Sequence, residues 1–170
     1  ISAGAKVIII DNVKKKEIKN ATYEKIDITK LNHLTQNITS LIKKYKVPDC
    51  FVNCSYPKTK DWSTNSYKKI KIKSFQNNVS SHMNSFVWFA KIIADKMKSK
   101  KKGSIVQLSS IYGILGQDVS LYKDTDMSES MSYATIKGGI TNSVRSMAAY
   151  YGKYNIRVNA LCPGGVKDKQ

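Results

Sequence analysis

Apolar and polar positions alternate along the chain in blocks that predict strands separated by helices. Five short runs rich in Val, Ile and Leu predict buried parallel strands; they cover 5–11, 23–28, 50–54, 104–109 and 156–162. Apolar residues that recur every three or four positions predict helices; these cover 30–45, 67–99 and 131–151. The second helix is interrupted by the polar pair Asn77 and Asn78. This alternation indicates an α/β fold whose parallel sheet is covered by helices on both faces.

Two segments between these elements are predicted to be long loops, 55–66 and 111–130. Loops of that length are uncommon in compact domains and usually serve a function. Both follow a predicted strand. They therefore leave the sheet at the carboxyl ends of its strands, where open α/β sheets bind ligands.

The length of 170 residues is that of one domain, residues 1–170, with enough chain for a substantial core. The formal net charge of +17 comes mostly from lysine and raises the alternative of a basic nucleic-acid-binding domain. These lysines are scattered in small groups, at 14–16, 43–46, 68–73 and 96–102, without a nucleic-acid recognition motif. The composition therefore favours solvated lysine-rich faces over a nucleic-acid interface.

The sequence contains no apolar run long enough for a membrane span and no signal-peptide pattern, so we expect a cytoplasmic protein. Its three cysteines are an odd number, which favours reduced thiols over disulfides. Cys50 and Cys54 are placed on one predicted strand, about 13 Å apart, too far to share a metal ion. With two histidines in the chain, no metal site is expected.

The richest segment in chemical terms runs from Ser104 to Gly164. A strand ends at Ser109 and Ser110, and the helix that follows places Tyr133 and Lys137 four residues apart, on one face. A tyrosine beside a lysine can act as a general acid or base, because the positive charge favours the phenolate. Ser110 is placed to hydrogen-bond a reacting oxygen. These residues predict proton transfer to or from a hydroxyl group.

The order of these motifs, a strand ending in Ser-Ser, then Tyr-Ala-Thr-Ile-Lys, then Arg-Val-Asn-Ala-Leu-Cys-Pro-Gly, resembles the short-chain dehydrogenase/reductase family. The resemblance implies a Rossmann-type doubly wound parallel sheet. It also implies that a first strand with a glycine-rich turn and a C-terminal portion lie outside the given sequence. Catalytic roles are implied for Asn78, Ser110, Tyr133 and Lys137, with Asn78 linked to Lys137 through water and Lys137 also binding the nicotinamide ribose. Ser110 and Tyr133 are 23 positions apart, a longer spacing than is usual in the family.

The resemblance also implies a dinucleotide site at the ends of the strands. Asp11 ends a strand, as does the acidic residue that bonds the adenosine ribose, and this favours NAD over NADP. The lysines at 14–16 are the feature that could instead attract a 2′-phosphate. Further cofactor contacts are implied in addition to those of Tyr133 and Lys137. Asp27 and Ile28 correspond to the pair that contacts the adenine, and Asn53, Cys54 and Ser55 to a segment whose backbone approaches the cofactor. Pro163, Gly164 and Val166 correspond to the segment that lines the nicotinamide.

The two long loops are similar to those of a subgroup of bacterial sugar-modifying reductases that act in surface or flagellar glycan synthesis. Tyr56, Trp62 and Tyr122 could stack on a sugar ring, and Lys60 could bind a phosphate. We therefore expect an NAD-dependent oxidoreductase that interconverts a secondary alcohol and a ketone on a sugar or sugar phosphate. The alternative from the same fold is a non-catalytic protein that binds a dinucleotide or a sugar nucleotide.

The two longest predicted helices suggest self-association. The family packs the corresponding helices against symmetry mates. Here the helix 67–99 carries a wider apolar girth, from Phe86 to Ile93, than one sheet face requires. We therefore expect a homo-oligomer, a dimer or a tetramer, with closed symmetry.

Overall fold

The computed structural model describes residues 1, 3–13, 18–125 and 127–166. Its five strands all pair in parallel, β1 with β2 in one sheet and β3, β4 and β5, in that order, in a second. The bounds are β1 Val7–Asp11, β2 Ala21–Lys25, β3 Cys50–Asn53, β4 Gly103–Leu108 and β5 Ile156–Leu161. The α/β class with parallel sheets is confirmed.

Most strands are a residue or two shorter than predicted, and β2 also begins and ends earlier. β2 ends before Asp27 because the Asp27 carboxylate accepts hydrogen bonds from the backbone N–H of Thr29 at 2.9 Å and from its hydroxyl at 2.6 Å. This local turn competes with strand pairing. Cys54, predicted to lie on a strand with Cys50, instead follows β3.

Four α-helices accompany the strands: α1 Leu31–Tyr45, α2 Ile72–Asn78, α3 Ser85–Met97 and α4 Met131–Tyr151. The predicted helix over 67–99 is therefore two helices, and it begins five residues later than expected. A π-helical turn, Val79–Asn84, joins α2 to α3. The Ser85 hydroxyl donates to the backbone carbonyl oxygens of Ser81 and His82 in this turn, at 2.6 and 3.0 Å. The polar interruption predicted at Asn77 and Asn78 coincides with the change of helix type.

One hydrophobic core joins α1, α3 and α4 to alternate residues of the three-stranded sheet, including Ile105 of β4 and Val158 of β5. The other face of this sheet is open, with Val52 58% and Leu161 56% exposed. The expected cover on both faces is therefore not seen in the part of the chain that the structure describes. The described helices α1, α3 and α4 share a single core on one face of the sheet.

The two long loops carry more local structure than the sequence predicted. A 3₁₀ turn, Trp62–Thr64, lies in the first, and two more, Ile111–Gly113 and Val119–Tyr122, lie in the second. Across the described residues, no helix combines the length and apolar character that crossing a membrane requires. Nor do those residues bring three or more His, Cys, Asp or Glu side chains together in a possible metal site.

Candidate active site

The amino-terminal half of α4 carries Tyr133 and Lys137 over the end of β4. Lys137 is only 3% exposed, and its Nζ donates to the backbone carbonyl oxygen of Leu108 at 2.8 Å. Burial lowers the pKa of Lys137 to about 8, with a smaller opposing effect from Cys162. The Lys137 Nζ lies 5.7 Å from the centre of the Tyr133 ring. One turn of helix thus holds an ammonium group close to a half-buried phenol.

The two serines that follow β4 have different partners. Ser109 Oγ donates to the backbone carbonyl oxygen of Lys137 at 3.1 Å and lies 2.6 Å from Thr141 Oγ1, so Ser109 joins β4 to α4. Ser110 Oγ instead accepts a hydrogen bond from the backbone N–H of Tyr112 at 3.2 Å. In the described part of the chain, the Ser110 hydroxyl proton has no acceptor, so it is available to a ligand.

Three aromatic side chains surround the Tyr133 ring, and we call Tyr56, Trp62 and Tyr112 the aromatic cluster. Their ring centres lie 6.3, 6.3 and 6.4 Å from that of Tyr133, with the Trp62 and Tyr112 rings nearly perpendicular to it. Burial, and then the neighbouring Tyr133, raise the pKa of Tyr56 to about 12, so its phenol stays neutral. The cluster thus places three further aromatic rings beside the Tyr133 ring.

A chain of hydrogen bonds runs through the loop 111–130 from Ser110 to Tyr133. The Tyr122 hydroxyl donates to the Tyr112 hydroxyl at 3.3 Å and accepts from Gln117 Nε2 at 3.3 Å. Gln117 Oε1 accepts from the backbone N–H of Ser130 at 2.9 Å. Ser130 Oγ then caps α4 by accepting from the Tyr133 N–H at 3.2 Å. These contacts link Tyr112, two residues after Ser110, to the start of α4, where the Tyr112 and Tyr133 rings lie 6.4 Å apart.

Asn78, at the end of α2, faces the loop after β3. Its Oδ1 accepts from the Thr59 N–H at 2.9 Å, and its Nδ2 donates to Thr59 Oγ1 at 2.8 Å and to the Ser74 carbonyl oxygen at 3.0 Å. Among the described residues, its side chain has no hydrogen bond to Lys137. A link from Asn78 to Lys137 through water stays a prediction.

A cavity of about 560 Å³ opens at the carboxyl ends of β1 and β2. It is lined by Asn12, Asp27, Thr29, the loop residues 56–59, and Asn77, Ser80 and Ser81 beside the π-helical turn. At the end of β3, Asn53 Oδ1 accepts from the Ser55 hydroxyl at 2.7 Å. The buried Asn53 Nδ2 has no partner among the described residues. A buried donor without a partner is costly, and it fits a polar ligand that accepts from Asn53.

A family model described as enoyl-(acyl carrier protein) reductase matches residues 1–170. The chain belongs to the short-chain dehydrogenase/reductase family. It is 32% identical to post-translational flagellin modification protein A of Campylobacter coli, covering 95% of this chain and 62% of that protein. It is 21% identical to L-fucose dehydrogenase of Bos taurus, covering 98% of this chain and 58% of that protein. The chain thus spans about three fifths of the length of these relatives.

A solved structure of the same family has a similar fold. It is a short-chain dehydrogenase from Leptospira borgpetersenii serovar Hardjo-bovis with bound NAD⁺. The match has a TM-score of 0.83 and 26% identity, and it covers 99% of this chain and 65% of that one. The Rossmann-type fold expected from the short-chain dehydrogenase/reductase motifs is therefore confirmed.

The residues expected to contact the cofactor of a short-chain dehydrogenase/reductase differ in burial and in local partners. The Ile28 side chain packs in the hydrophobic core, and its contact with the adenine stays a prediction. Cys54 is exposed beyond β3, and Val166 is 78% exposed. Asp11 Oδ1 accepts from the Val13 N–H at 3.2 Å, as a turn-forming carboxylate does. The lysines at 14–16 lie outside the described residues.

Other expected residues do reach the site. The Pro163 carbonyl oxygen accepts from the Ile111 N–H at 3.0 Å, and Gly164 approaches the Ile111 side chain, so both lie beside Ser110. Tyr56 and Trp62 contact Tyr133, and Tyr122 reaches the site through Tyr112. Lys60 is exposed, and within the described residues its side chain forms no hydrogen bond to the aromatic cluster.

The sequence interpretation missed four residues that the structure places in or behind the site: Asn65, His82, Tyr112 and Gln117. Tyr112 lies two residues after Ser110, and that position was a usable signal. Asn65 and Gln117 lie in loops without periodicity, where the sequence does not indicate which polar side chain turns inward. His82 lies on a helical segment whose register is shifted by the π-helical turn.

Proposed function

We propose that this chain is the catalytic part of an NAD-dependent oxidoreductase that interconverts a secondary alcohol and a ketone in the cytoplasm. The nicotinamide, when bound, accepts a hydride from the alcohol carbon or returns it to the ketone carbon. Tyr133 takes the hydroxyl proton during oxidation and gives it back during reduction. Ser110 donates its free hydroxyl proton to the reacting oxygen and orients it.

The observation that carries this proposal is the placement of the Lys137 ammonium group 5.7 Å from the Tyr133 ring, over the end of the strand that Ser110 follows. Lys137 is held there by the Leu108 carbonyl oxygen. With a pKa of about 8, Lys137 is mostly protonated at neutral pH, and its charge favours the phenolate form needed for proton abstraction.

The residues around the cavity fit a dinucleotide. The cavity follows β1 and β2, where open α/β sheets bind such ligands, and the unpartnered Asn53 Nδ2 lies at the end of β3. In this proposal Asp11 accepts from the adenosine ribose and Asp27 from the adenine. Pro163 and Gly164 contact the nicotinamide, a role supported by their position beside Ile111. The NAD⁺-bound relative from Leptospira supports the same cofactor here.

We propose a sugar or sugar phosphate as the substrate, in glycan biosynthesis. The aromatic cluster presents ring faces at the proton-transfer group, a surface suited to stacking against the C–H face of a sugar ring. The relatives named for flagellin modification and for L-fucose oxidation support this substrate class. Lys60 as a phosphate ligand remains a prediction from the sequence.

The test of the chemistry is Tyr133→Phe in the full-length protein, which removes the hydroxyl and keeps the ring. NADH formation is followed with a panel of aldoses and sugar phosphates, and NAD binding is measured separately. We expect turnover to fall by about 10³-fold or more with NAD binding unchanged. Tyr67→Phe, at an exposed tyrosine outside the cluster, is the matched control. Full turnover in Tyr133→Phe would refute the assignment.

The substrate class is tested with Trp62→Ala. Loss of a stacking face removes binding that substrate and transition state share, so the Michaelis constant for the sugar should rise more than kcat falls. Tyr67→Ala, at an exposed aromatic residue outside the cluster, should leave both unchanged. Equal activity of parent and Trp62→Ala on a long-chain acyl ketone, with no activity on any sugar, would remove the sugar proposal and leave the oxidoreductase proposal intact.

A further inference from the structure

Asn65 connects three parts of the molecule that approach the candidate active site. It lies just after the 3₁₀ turn that carries Trp62, and it is 1% exposed. Its Nδ2 donates to the Asp61 carbonyl oxygen at 3.0 Å and to Ser74 Oγ at 3.1 Å. Its Oδ1 accepts from Asn78 Nδ2 at 3.3 Å. The side chain thus fixes the loop after β3 on α2.

The same residue also holds the first turn of α4. The Asn65 carbonyl oxygen accepts from the Met131 N–H at 2.9 Å, and Asn65 Oδ1 accepts from the Ser132 hydroxyl. Met131 and Ser132 are the two residues that precede Tyr133, and Ser132 is fully buried. A helix begins with backbone N–H groups that lack partners inside the helix, so an outside acceptor here sets where the helix starts.

These contacts connect the loop 55–66, which carries Trp62, to Tyr133 by a short path. The Trp62 ring lies 6.3 Å from the Tyr133 ring, and the Asn65 N–H donates to the Trp62 carbonyl oxygen at 3.2 Å. A shift of the loop therefore changes both the wall of the site and the position of the Tyr133 hydroxyl. Misplacement of a reacting group by about 1 Å can cost about 10²-fold in rate.

We propose that Asn65 is a positioning residue for Tyr133: it ties the loop that carries Trp62 to the first turn of α4, so that the substrate wall and the proton-transfer group move as one unit. This inference rests on the proposed function, because it assigns Asn65 a role in the same reaction. It adds a residue outside the serine, tyrosine and lysine that touch the reacting atoms.

The structure offers two serines that separate positioning from packing. Ser132→Ala removes the side-chain link from Asn65 to α4 and leaves the rest of the Asn65 contacts in place. Ser74→Ala removes a hydroxyl of similar burial that also bonds Asn65, on the α2 side. Ser132→Ala loses one buried hydrogen bond. Ser74→Ala loses two, because Ser74 Oγ also accepts from Asn78 Nδ2 at 3.3 Å, so it should lose at least as much thermal stability.

The experiment compares these two variants with Asn65→Ala in the full-length protein. We expect kcat to fall about 10-fold in Ser132→Ala and about 100-fold in Asn65→Ala, with the NAD dissociation constant unchanged. In Ser74→Ala, kcat should stay within about twofold of the parent. A misplaced acid/base slows proton transfer. The solvent deuterium isotope effect on kcat should therefore rise in Ser132→Ala and Asn65→Ala but not in Ser74→Ala.

Equal losses of kcat in Ser74→Ala and Ser132→Ala, with equal isotope effects, would overturn the proposal and leave Asn65 a packing residue. If the full-length protein has no oxidoreductase activity, the proposed function fails separately. Hydrogen exchange then tests the tether itself: Ser132→Ala should speed exchange at 131–136, while Ser74→Ala should not. Unchanged exchange there in Ser132→Ala would also overturn the proposal.

Discussion

The burial of His82 predicts a loss of stability in mild acid. The ring lies in the π-helical turn, fully buried, with its centre 5.2 Å from that of Tyr56 and 5.0 Å from that of Phe86. Neither ring nitrogen has a hydrogen-bond partner among the described residues. Burial lowers the pKa of His82 to about 3, and the charge of Lys137 on α4 acts in the same direction. The Pro57 carbonyl oxygen, outside hydrogen-bond geometry, opposes both slightly.

The sign of the effect follows from the two pKa values. In the unfolded chain a histidine ionises near pH 6.5, whereas the folded chain keeps His82 neutral down to about pH 3. Between these values the unfolded state binds a proton that the native state does not, so the free energy of unfolding falls as the pH falls. The slope is about 1.4 kcal/mol per pH unit, or about 2 kcal/mol between pH 7 and pH 5.

The measurement is urea unfolding at pH 7 and pH 5 for the parent, His82→Gln and His33→Gln. Glutamine cannot titrate. The difference in the free energy of unfolding between pH 7 and pH 5 should therefore be about 2 kcal/mol smaller in His82→Gln than in the parent, whatever the stability of the variant at pH 7. His33, the other histidine, is exposed on α1 and serves as the control. If His82→Gln keeps the full pH dependence of the parent, the burial argument is wrong.

Three further predictions concern the helix packing, the cofactor and the assembly. A Cβ at Gly113 would lie 2.6 Å from the Lys137 carbonyl oxygen, so Gly113→Ala should displace α4, cost about 1–3 kcal/mol and lower kcat, whereas Gly116→Ala, with open space around it, should not. NAD should bind at least about tenfold more tightly than NADP, and Asp11→Asn should narrow that ratio; tighter NADP binding by the parent would contradict this. Sedimentation at micromolar concentration should show a dimer or tetramer built on α3 and α4, where Trp88 and Tyr150 are exposed, and a monomer would count against it.

The order of strands and helices could be predicted because each element carries its own period. The bounds of α4 match the prediction, 131–151, since Ser130 caps the helix and the apolar stripe runs to Tyr151. The prediction of one helix over 67–99 was less accurate, because the π-helical turn Val79–Asn84 changes the helical period in the middle of this segment. Apolar spacing alone does not reveal such a turn.

The candidate site was predictable where function follows from position on a regular element. Ser110 follows β4, Tyr133 and Lys137 share one face of α4, and Lys137 Nζ bonds the Leu108 carbonyl oxygen at the end of β4. The contact of Ile28 with the adenine stays a prediction, and the sequence did not indicate that the Ile28 side chain turns into the core. Gln117 and Asn65 had no signal, since their roles depend on how two loops fold back.

Both long loops, 55–66 and 111–130, supply hydrogen-bond acceptors to the start of α4. The Ser130 N–H donates to Gln117 from the loop after β4, and the Met131 N–H donates to Asn65 from the loop after β3. A helix start needs such acceptors, so the loops that wall the site also fix where the helix begins and therefore where Tyr133 lies. The long spacing from Ser110 to Tyr133 is then compatible with catalysis, because the position of Tyr133 depends on these acceptors and not on the length of chain between the two residues. Mutations that reshape either loop should therefore alter the rate of proton transfer as well as substrate binding, unless the acceptors Asn65 and Gln117 are kept.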